Sequence, residues 1–325
     1  MERNYSVERN SEIELRLLIE AIYLKYSYDF RDYSGASIKR RVQHALSQFE
    51  CATISALQEK VLHDPTAFMQ LLQLLTIPVS EMFRDPSHFL AIRREVVPLL
   101  RTYPSIKIWI AGCSTGEEAY SLAMLCSDAI QASQRNIKLQ VFASDVDADA
   151  IAVAREGFYP DTIAQQVPAD RLARHFVKEE GGGYRIAPSL RGDLVFTVQD
   201  VLNDPPLSRM DMVSCRNLLI YFKPEAQAKV IGLFHFALRE NGVLMLGMAE
   251  TPGDVADRFA ELHKAERIYR HIALGRAGEP GFPLSFVESI PRLTGHENKA
   301  QLNRQTALAN LCRDTVLDNF APASL

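Results

Sequence analysis

Ile108–Glu118 reads IWIAGCSTGEE, and the change of pattern inside it decides the fold. An apolar, strand-like run stops at Gly112, and past Gly116 the helix-forming stretch Glu117–Ile130 begins. A buried strand that enters a tight turn and then a helix is one half of a parallel strand–helix–strand unit. Glycines in such a turn let the backbone approach a ligand, and the helix start supplies unpaired N–H groups. The spacing departs from GxGxxG and carries no P-loop lysine, so the glycines alone define only a generic ligand loop. Glu117 and Glu118 narrow it: they would repel a pyrophosphate and suit a ligand bearing a positive group. The plainer role, two acids complementing a helix dipole, stays open beside that one.

Around this turn, strand-like runs alternate with helical ones. Ile106–Ile110 precedes it, and Leu139–Ser144, a helix over Ala148–Glu156, Leu194–Val198, Met210–Ser214, a helix over Pro224–Arg239 and Val243–Leu246 follow. That rhythm predicts an α/β fold with a doubly wound, mostly parallel sheet. The turn-rich stretch Arg171–Arg191, with GGGYRIAP, interrupts it and predicts a small β insertion over about residues 171–193. Upstream, apolar residues recur at helical spacing from Glu12 to Leu75, with breaks at Asp64-Pro65 and Ile77-Pro78. The expected organisation is a helical domain over residues 10–84 and a sheet domain over 85–273 that opens with a connecting helix, Pro86–Leu100. Gly/Pro-rich text then predicts a linker over 274–298, and Lys299–Asn319 a final helix in a tail over 299–325 that leads toward a further domain.

Composition excludes several classes of function. The 325 residues hold 47% hydrophobic and 23% charged residues with a net charge of −4, which is ordinary for a globular protein and offers no electrostatic case for nucleic acid. No run approaches the roughly 18 apolar residues of a membrane span, and MERNYSVERNSEIE lacks a signal-peptide core, so a cytoplasmic protein without membrane insertion is expected. Five scattered cysteines, with no CxxC pair and no histidine spacing, predict free thiols and no metal site.

Other residues fall where ligands are met. Asp145 ends the second strand-like run, the usual place for an acid that holds ribose hydroxyls, whereas Asp147 and Asp149 suit capping of the next helix. Cys215, Arg216 and Asn217 follow an apolar strand, at the crevice edge of an open sheet, and Tyr221 lies just beyond. Arg84 stands at the junction of the two domains, able to clamp a carboxylate or to make a structural ion pair. Lys39, Arg40 and Arg41 concentrate positive charge on one helix, a docking face for an acidic partner or a solvated face.

The blocks SEMFRDP (Ser80–Pro86), AGCSTGEEAYSLAM (Ala111–Met124), ASDVDADAIAVAREGFY (Ala143–Tyr159), CRNLLIYF (Cys215–Phe222) and GVLMLGMAE (Gly242–Glu250), in this order and spacing, resemble the CheR family of chemoreceptor glutamate methyltransferases. The resemblance runs from about residue 15 to 272. It implies a class I methyltransferase sheet under a helical N-terminal domain, S-adenosylmethionine as cofactor, and glutamates on the cytoplasmic helices of chemoreceptors as substrate. Carried over by position, the cofactor contacts fall on Ser80, Arg84, Glu118, Asp145, Asp200, Val201, Arg216 and Asn217, and Tyr221 matches the family tyrosine near the methyl group. Arg84 and Tyr221 would organise the reacting ends, and Lys39–Arg41 would dock the receptor. The chain departs from the family at Pro78, where many members have asparagine, at Ser80 and Met82 in place of Thr and Phe, and at Asp200 in place of Asn. Lys178–Arg185 is shorter than in members that bind a receptor's C-terminal pentapeptide, which counts against tethering by that route. Two rival readings go with these residues. A dehydrogenase using NAD would share the sheet and the ribose acid, but not the Glu117-Glu118 turn. A non-catalytic scaffold could keep the pocket as a sensor, alone or fused to other signalling domains.

Overall fold

The structure, a computed structural model, describes residues 2–76, 80–100 and 102–272. The expected linker, the tail helix and Pro78 lie outside them.

Four helices form the first layer: α1 (Glu2–Tyr26), α2 (Gly35–Gln48), α3 (Ile54–His63) and α4 (Pro65–Thr76). Thr53 caps α3 by accepting the Ala56 N–H (3.1 Å), and Pro65 opens α4 at a position where its missing N–H costs nothing. Their apolar stripes meet in one core that includes Leu18, Ile22, Val42, Leu57, Val61, Leu71 and Leu72. Tyr26 stacks on Phe68 at 3.7 Å. Truncating Leu71 or Leu72 to alanine in so tight a core would cost about 2–5 kcal/mol. A connecting helix follows as α5 (Pro86–Ala91), a π-helical segment Ile92–Val96 and α6 (Val97–Leu100).

The second layer is the sheet. Its strands and helices run β1 (Ser105–Ala111), α7 (Glu117–Ser133), β2 (Lys138–Asp145), α8 (Ala148–Glu156), β3 (Phe158–Tyr159), α9 (Ala169–His175), β4 (Phe176–Lys178), β5 (Tyr184–Ile186), α10 (Pro188–Arg191), β6 (Leu194–Val198), β7 (Met210–Cys215), α11 (Pro224–Ala237), β8 (Leu238–Leu246), β9 (Phe259–His263) and β10 (Ile268–His271). Seven strands pair in the order β6-β2-β1-β7-β8-β10-β9, and β3-β5-β4 form a small second sheet. Strands β6, β2, β1, β7 and β8 are mutually parallel, while β10 and β9 close the edge antiparallel. The fold is the expected α/β architecture, a doubly wound, mostly parallel sheet with a helical N-terminal domain and a small β insertion.

Both faces of the sheet are covered, and the alternation within β1 shows it. Ile106, Ile108 and Ile110 enter one core, whereas Trp109 and Ala111 enter the other, where Trp109 packs edge-on against Phe234. Because the chain leaves β1 toward β2 on one side and later returns as β7 on the other, β1 lies at the switch point of the winding, where such sheets open a crevice. Register finishes the job: Ala111 pairs with Ser144 and Ile110 with Ser214, so the loops after β1, β2 and β7 emerge side by side.

Two features differ from the sequence reading. The small sheet begins at Phe158, ahead of the expected insertion, because β3 is only two residues long and pairs with Tyr184 and Arg185. Hairpin β9–β10 has no strand signature in the sequence, since neither FAELH in β9 nor IYRH in β10 alternates apolar with polar residues along its whole length.

Candidate functional site

The turn after β1 is held by backbone geometry. Gly112 (φ +76°) and Gly116 (φ +96°) both occupy left-handed conformations. A Cβ at Gly116 would lie 2.9 Å from Ala154 Cβ, so the close approach of α8 requires glycine. The Gly112 and Cys113 N–H groups both donate to Ser144 O (2.8 and 3.0 Å), which binds the turn to the end of β2. Ser114 (φ +50°) then presents its N–H to Asp145 Oδ2 at 2.8 Å.

Helix α7 separates the two glutamates at its start. Glu117 is buried and receives the Thr115 hydroxyl at 2.8 and 2.7 Å, while the Tyr159 hydroxyl holds Thr115 O. Glu118 lines the central cavity, where it accepts from Ser214 Oγ and from Arg216 Nη1 (3.2 Å). Arg216 is almost fully buried; it also donates to Arg84 O (3.0 Å) and to Asp85 Oδ2 (2.7 Å). That guanidinium therefore fastens the interdomain junction to the sheet. Its hold is matched on α7, where Ser121 Oγ accepts the Phe83 N–H at 2.9 Å. Phe83 (φ +54°) and Asp85 (φ +55°) flank Arg84 in left-handed backbone, a costly arrangement that these bonds maintain.

Asp145 ends β2 with its carboxylate in the cavity, accepting from Ser114 N–H and Asp147 N–H (3.0 Å). Burial pushes its pKa above the usual carboxylate value. Asp147 caps α8 through the N–H groups of Asp149 (2.9 Å) and Ala150 (3.1 Å) and accepts the Thr76 hydroxyl at 3.1 Å. It also lines the cavity, so capping and lining coexist.

Ser80, Arg84, Asn217 and Tyr221 line the same cavity as Glu118, Asp145 and Arg216. Asp200 and Val201 do not. The Asp200 carboxylate turns onto its own loop, taking Leu202 N–H and Asn203 Nδ2 (both 2.8 Å), and Val201 packs in the core.

The basic segment of α2 requires a correction. Arg40 is exposed and Lys39 faces Glu12 at 4.0 Å, but Arg41 is 5% exposed and faces inward, so it is not part of a docking face. Arg41 lines the cavity and lies over the Tyr221 ring at 4.4 Å. It donates to Leu75 O, and its Nε and Nη2 have no hydrogen-bond partner among the described residues. The signal was legible: Arg41 falls on the Ile38–Val42–Ala45 stripe that enters the core.

Two further residues escaped the sequence reading. Tyr33 forms part of the cavity wall and packs edge-on against Phe222 at 5.0 Å, and burial followed by the charges of Asp200 and Asp145 pushes its hydroxyl pKa up. Its backbone joins the loop after β7: Tyr33 bridges Phe222, Ser34 N–H donates to Tyr221 O (2.7 Å), and Lys223 N–H to Asp32 O (2.9 Å). Glu250 lies buried behind the cavity and accepts from backbone N–H groups of Asn217 and Leu219. No local pattern marks either residue, because the contacts that place them, Phe222 for Tyr33 and Asn217 and Leu219 for Glu250, are far away in sequence.

Comparison with known proteins accounts for this arrangement. The family described as CheR methyltransferase, SAM binding domain, matches residues 78–268, and the CheR methyltransferase all-alpha domain matches residues 13–76. The chain belongs to the CheR methyltransferase family. It is 53% identical over 272 residues to the protein named "Putative methyltransferase Cher3" of Pseudomonas putida, covering 81% of this chain and 98% of that one. A 104.1 kDa protein of Rhodobacter capsulatus is 37% identical over 306 residues, or 91% of this chain, which spans only 32% of that relative. A chemotaxis protein methyltransferase of Listeria monocytogenes is 29% identical over 231 residues, covering 70% and 86% of the two chains. This CheR protein is accordingly a methyltransferase that uses S-adenosylmethionine.

The residues present fit that cofactor. Ser114 Oγ is buried on the cavity wall without a hydrogen-bond partner among the described residues. Asp145 retains acceptor capacity beyond its backbone bonds, as ribose hydroxyls require. Glu118 places a carboxylate on the wall of this cavity, and Arg84 and Arg216 place guanidinium groups there. Among the described residues, no group of three or more His, Cys, Asp and Glu side chains could hold a metal ion, and no helix is long and apolar enough to cross a membrane.

Proposed function

We propose that this CheR protein transfers a methyl group to glutamate side chains on the cytoplasmic helices of chemoreceptors, giving glutamate methyl esters. A glutamate carboxylate is ionised at neutral pH, so the attacking oxygen needs no general base. The cofactor, when bound, supplies a methyl group on a sulfonium. One C–O bond forms, one C–S bond breaks, and the negative and positive charges of the reactants cancel without movement of a proton. Catalysis then rests on alignment and on keeping water out.

The observation that carries this reading is the Arg41 guanidinium, buried in the acid-lined cavity with two N–H directions unpartnered. A buried cation of this kind calls for an anion, and a carboxylate meets a guanidinium fork bidentately. Arg41 therefore receives the glutamate, Arg84 and Tyr221 organise the reacting ends, and Ser80, Glu118, Asp145, Arg216 and Asn217 hold the cofactor. Lys39 and Arg40 are left as the outward docking charges.

Incubating the protein with labelled S-adenosylmethionine and chemoreceptor cytoplasmic fragments, then releasing volatile methanol with alkali, tests the assignment. Alkali-labile label on glutamate is the expected result. Label that survives alkali, or none on any receptor while S-adenosylhomocysteine still binds, overturns it.

A further inference from the structure

Both oxygens of Glu250 are spent on backbone donors from two different loops. Oε2 accepts the N–H groups of Gly247 (2.6 Å) and Asn217 (3.1 Å), while Oε1 accepts those of Leu219 (2.8 Å) and Ile220 (3.4 Å). The side chain is 4% exposed, and Glu250 is not among the residues that line the cavity. Four converging N–H groups form an anion nest, here filled by the protein's own carboxylate. The donors belong to the segment after β7 that carries Asn217 (φ +60°) and the turn Leu219–Tyr221, and to the end of β8. Gly247 is part of the device: a Cβ there would lie 2.7 Å from Glu250 Oε2 and 3.0 Å from Asn217 N.

We propose that Glu250 is a positioning residue, latching the loop after β7 to the end of β8 so that Asn217 and Tyr221 stand in the cavity. The proposal rests on the reading of Asn217 as a cofactor contact. A glutamine at this position has one carbonyl oxygen in place of two acceptors. Whichever way its amide turns, an NH2 faces N–H donors, and one half of the latch opens. Asparagine tolerates left-handed backbone better than other non-glycine residues but does not prefer it, so its surroundings select φ +60° here. Without the carboxylate on its N–H, Asn217 relaxes and its side chain leaves the position from which it meets the ligand. Burial pushes the Glu250 pKa up, and the four N–H groups oppose that shift, so the anion remains the form for which the nest is built.

A binding cycle needs no methyl-accepting substrate and so is independent of which protein is methylated. S-adenosylhomocysteine is titrated calorimetrically into wild type, E250Q, N217A and the double variant, with thermal melts alongside. Loss of charge-assisted bonds predicts E250Q binding about tenfold weaker, with a cooperative melt retained. Because both changes act through one side chain, the double variant should be no more than about threefold weaker than the worse single. Wild-type affinity in folded E250Q overturns the proposal, as do losses that multiply in the double variant. N217A alone reads the assignment of Asn217, so its failure is visible separately. If E250Q does not fold, G247A keeps the carboxylate but displaces it, and the same cycle is read with that variant.

Discussion

Glu118 and Arg41 line one cavity and receive opposite treatment from their neighbours. The Glu118 carboxylate is met by a serine hydroxyl and a buried guanidinium, whereas the Arg41 guanidinium is buried on an aromatic ring with two N–H directions unmet. On the sheet side, the charges of Glu118 and Arg216 are already paired before any ligand arrives, although Arg216 Nε and Ser114 Oγ have no hydrogen-bond partner among the described residues. The helical side carries a cation whose burial is compensated only when an anion enters. The first arrangement suits a resident cofactor that is held in a fixed pose, and the second a substrate that comes and goes.

Changing Arg41 should cost the most activity. Removing a bidentate charge-assisted contact of about 3 kcal/mol predicts that R41M loses turnover by roughly two orders of magnitude. Its S-adenosylhomocysteine affinity stays within a few-fold. The melting temperature should hold or rise, because a buried, uncompensated charge costs free energy in the folded state. A drop in melting temperature, or an equal loss of cofactor affinity, would place Arg41 with the charges already paired. Arg84→Ala should also lower turnover, and unchanged turnover together with unchanged cofactor affinity would remove Arg84 from the reacting end.

On the other side, E118Q should weaken S-adenosylhomocysteine binding by about tenfold in a calorimetric titration. It should also lower the melting temperature, since Arg216 keeps only Asp85 as its anionic partner. A smaller effect comes from Asp147. Losing its cap on α8 should cost about 1 kcal/mol in a denaturant melt, with cofactor affinity changing less than in E118Q.

The smallest effect is on pH dependence. Burial raises the folded pKa of Asp145 above its unfolded value, so the folded state keeps that proton to a higher pH. Its ionisation therefore withdraws stability as pH rises from the ordinary aspartate range through the raised folded pKa, and stability is regained as pH falls. D145N should flatten that part of the stability profile. Cofactor affinity runs the other way in wild type, falling as pH drops through the same window, because a protonated carboxyl accepts fewer ribose hydrogen bonds. A pH-independent affinity across it would take Asp145 out of the ribose role.

How much of this was legible in the sequence follows how local each signal is. The Gly112–Gly116 turn, the start of α7, the acid ending β2 and the break before Pro65 are written within a few residues of where they act. All could be read from spacing and residue chemistry. Choosing Glu118 over Glu117 needed the family resemblance, and the structure supplies the reason: Thr115 turns Glu117 away from the cavity while Ser214 and Arg216 receive Glu118. Placing Arg41 among exposed charges failed because three adjacent basic residues look like a surface, although helical spacing puts the third on the buried stripe.

The alternation of strands and helices, the glycine turn and the acids beside it are set by the amino-acid order alone. Those follow from backbone sterics, side-chain periodicity and charge, which act over a few residues. It takes the folded chain to bring Arg41 and Tyr33 into the cavity, to fasten the junction through Arg216, and to set Glu250 against the loop bearing Asn217 and Tyr221. Each of these joins segments distant in the chain, and desolvation and hydrogen-bond completion are settled only when those segments meet.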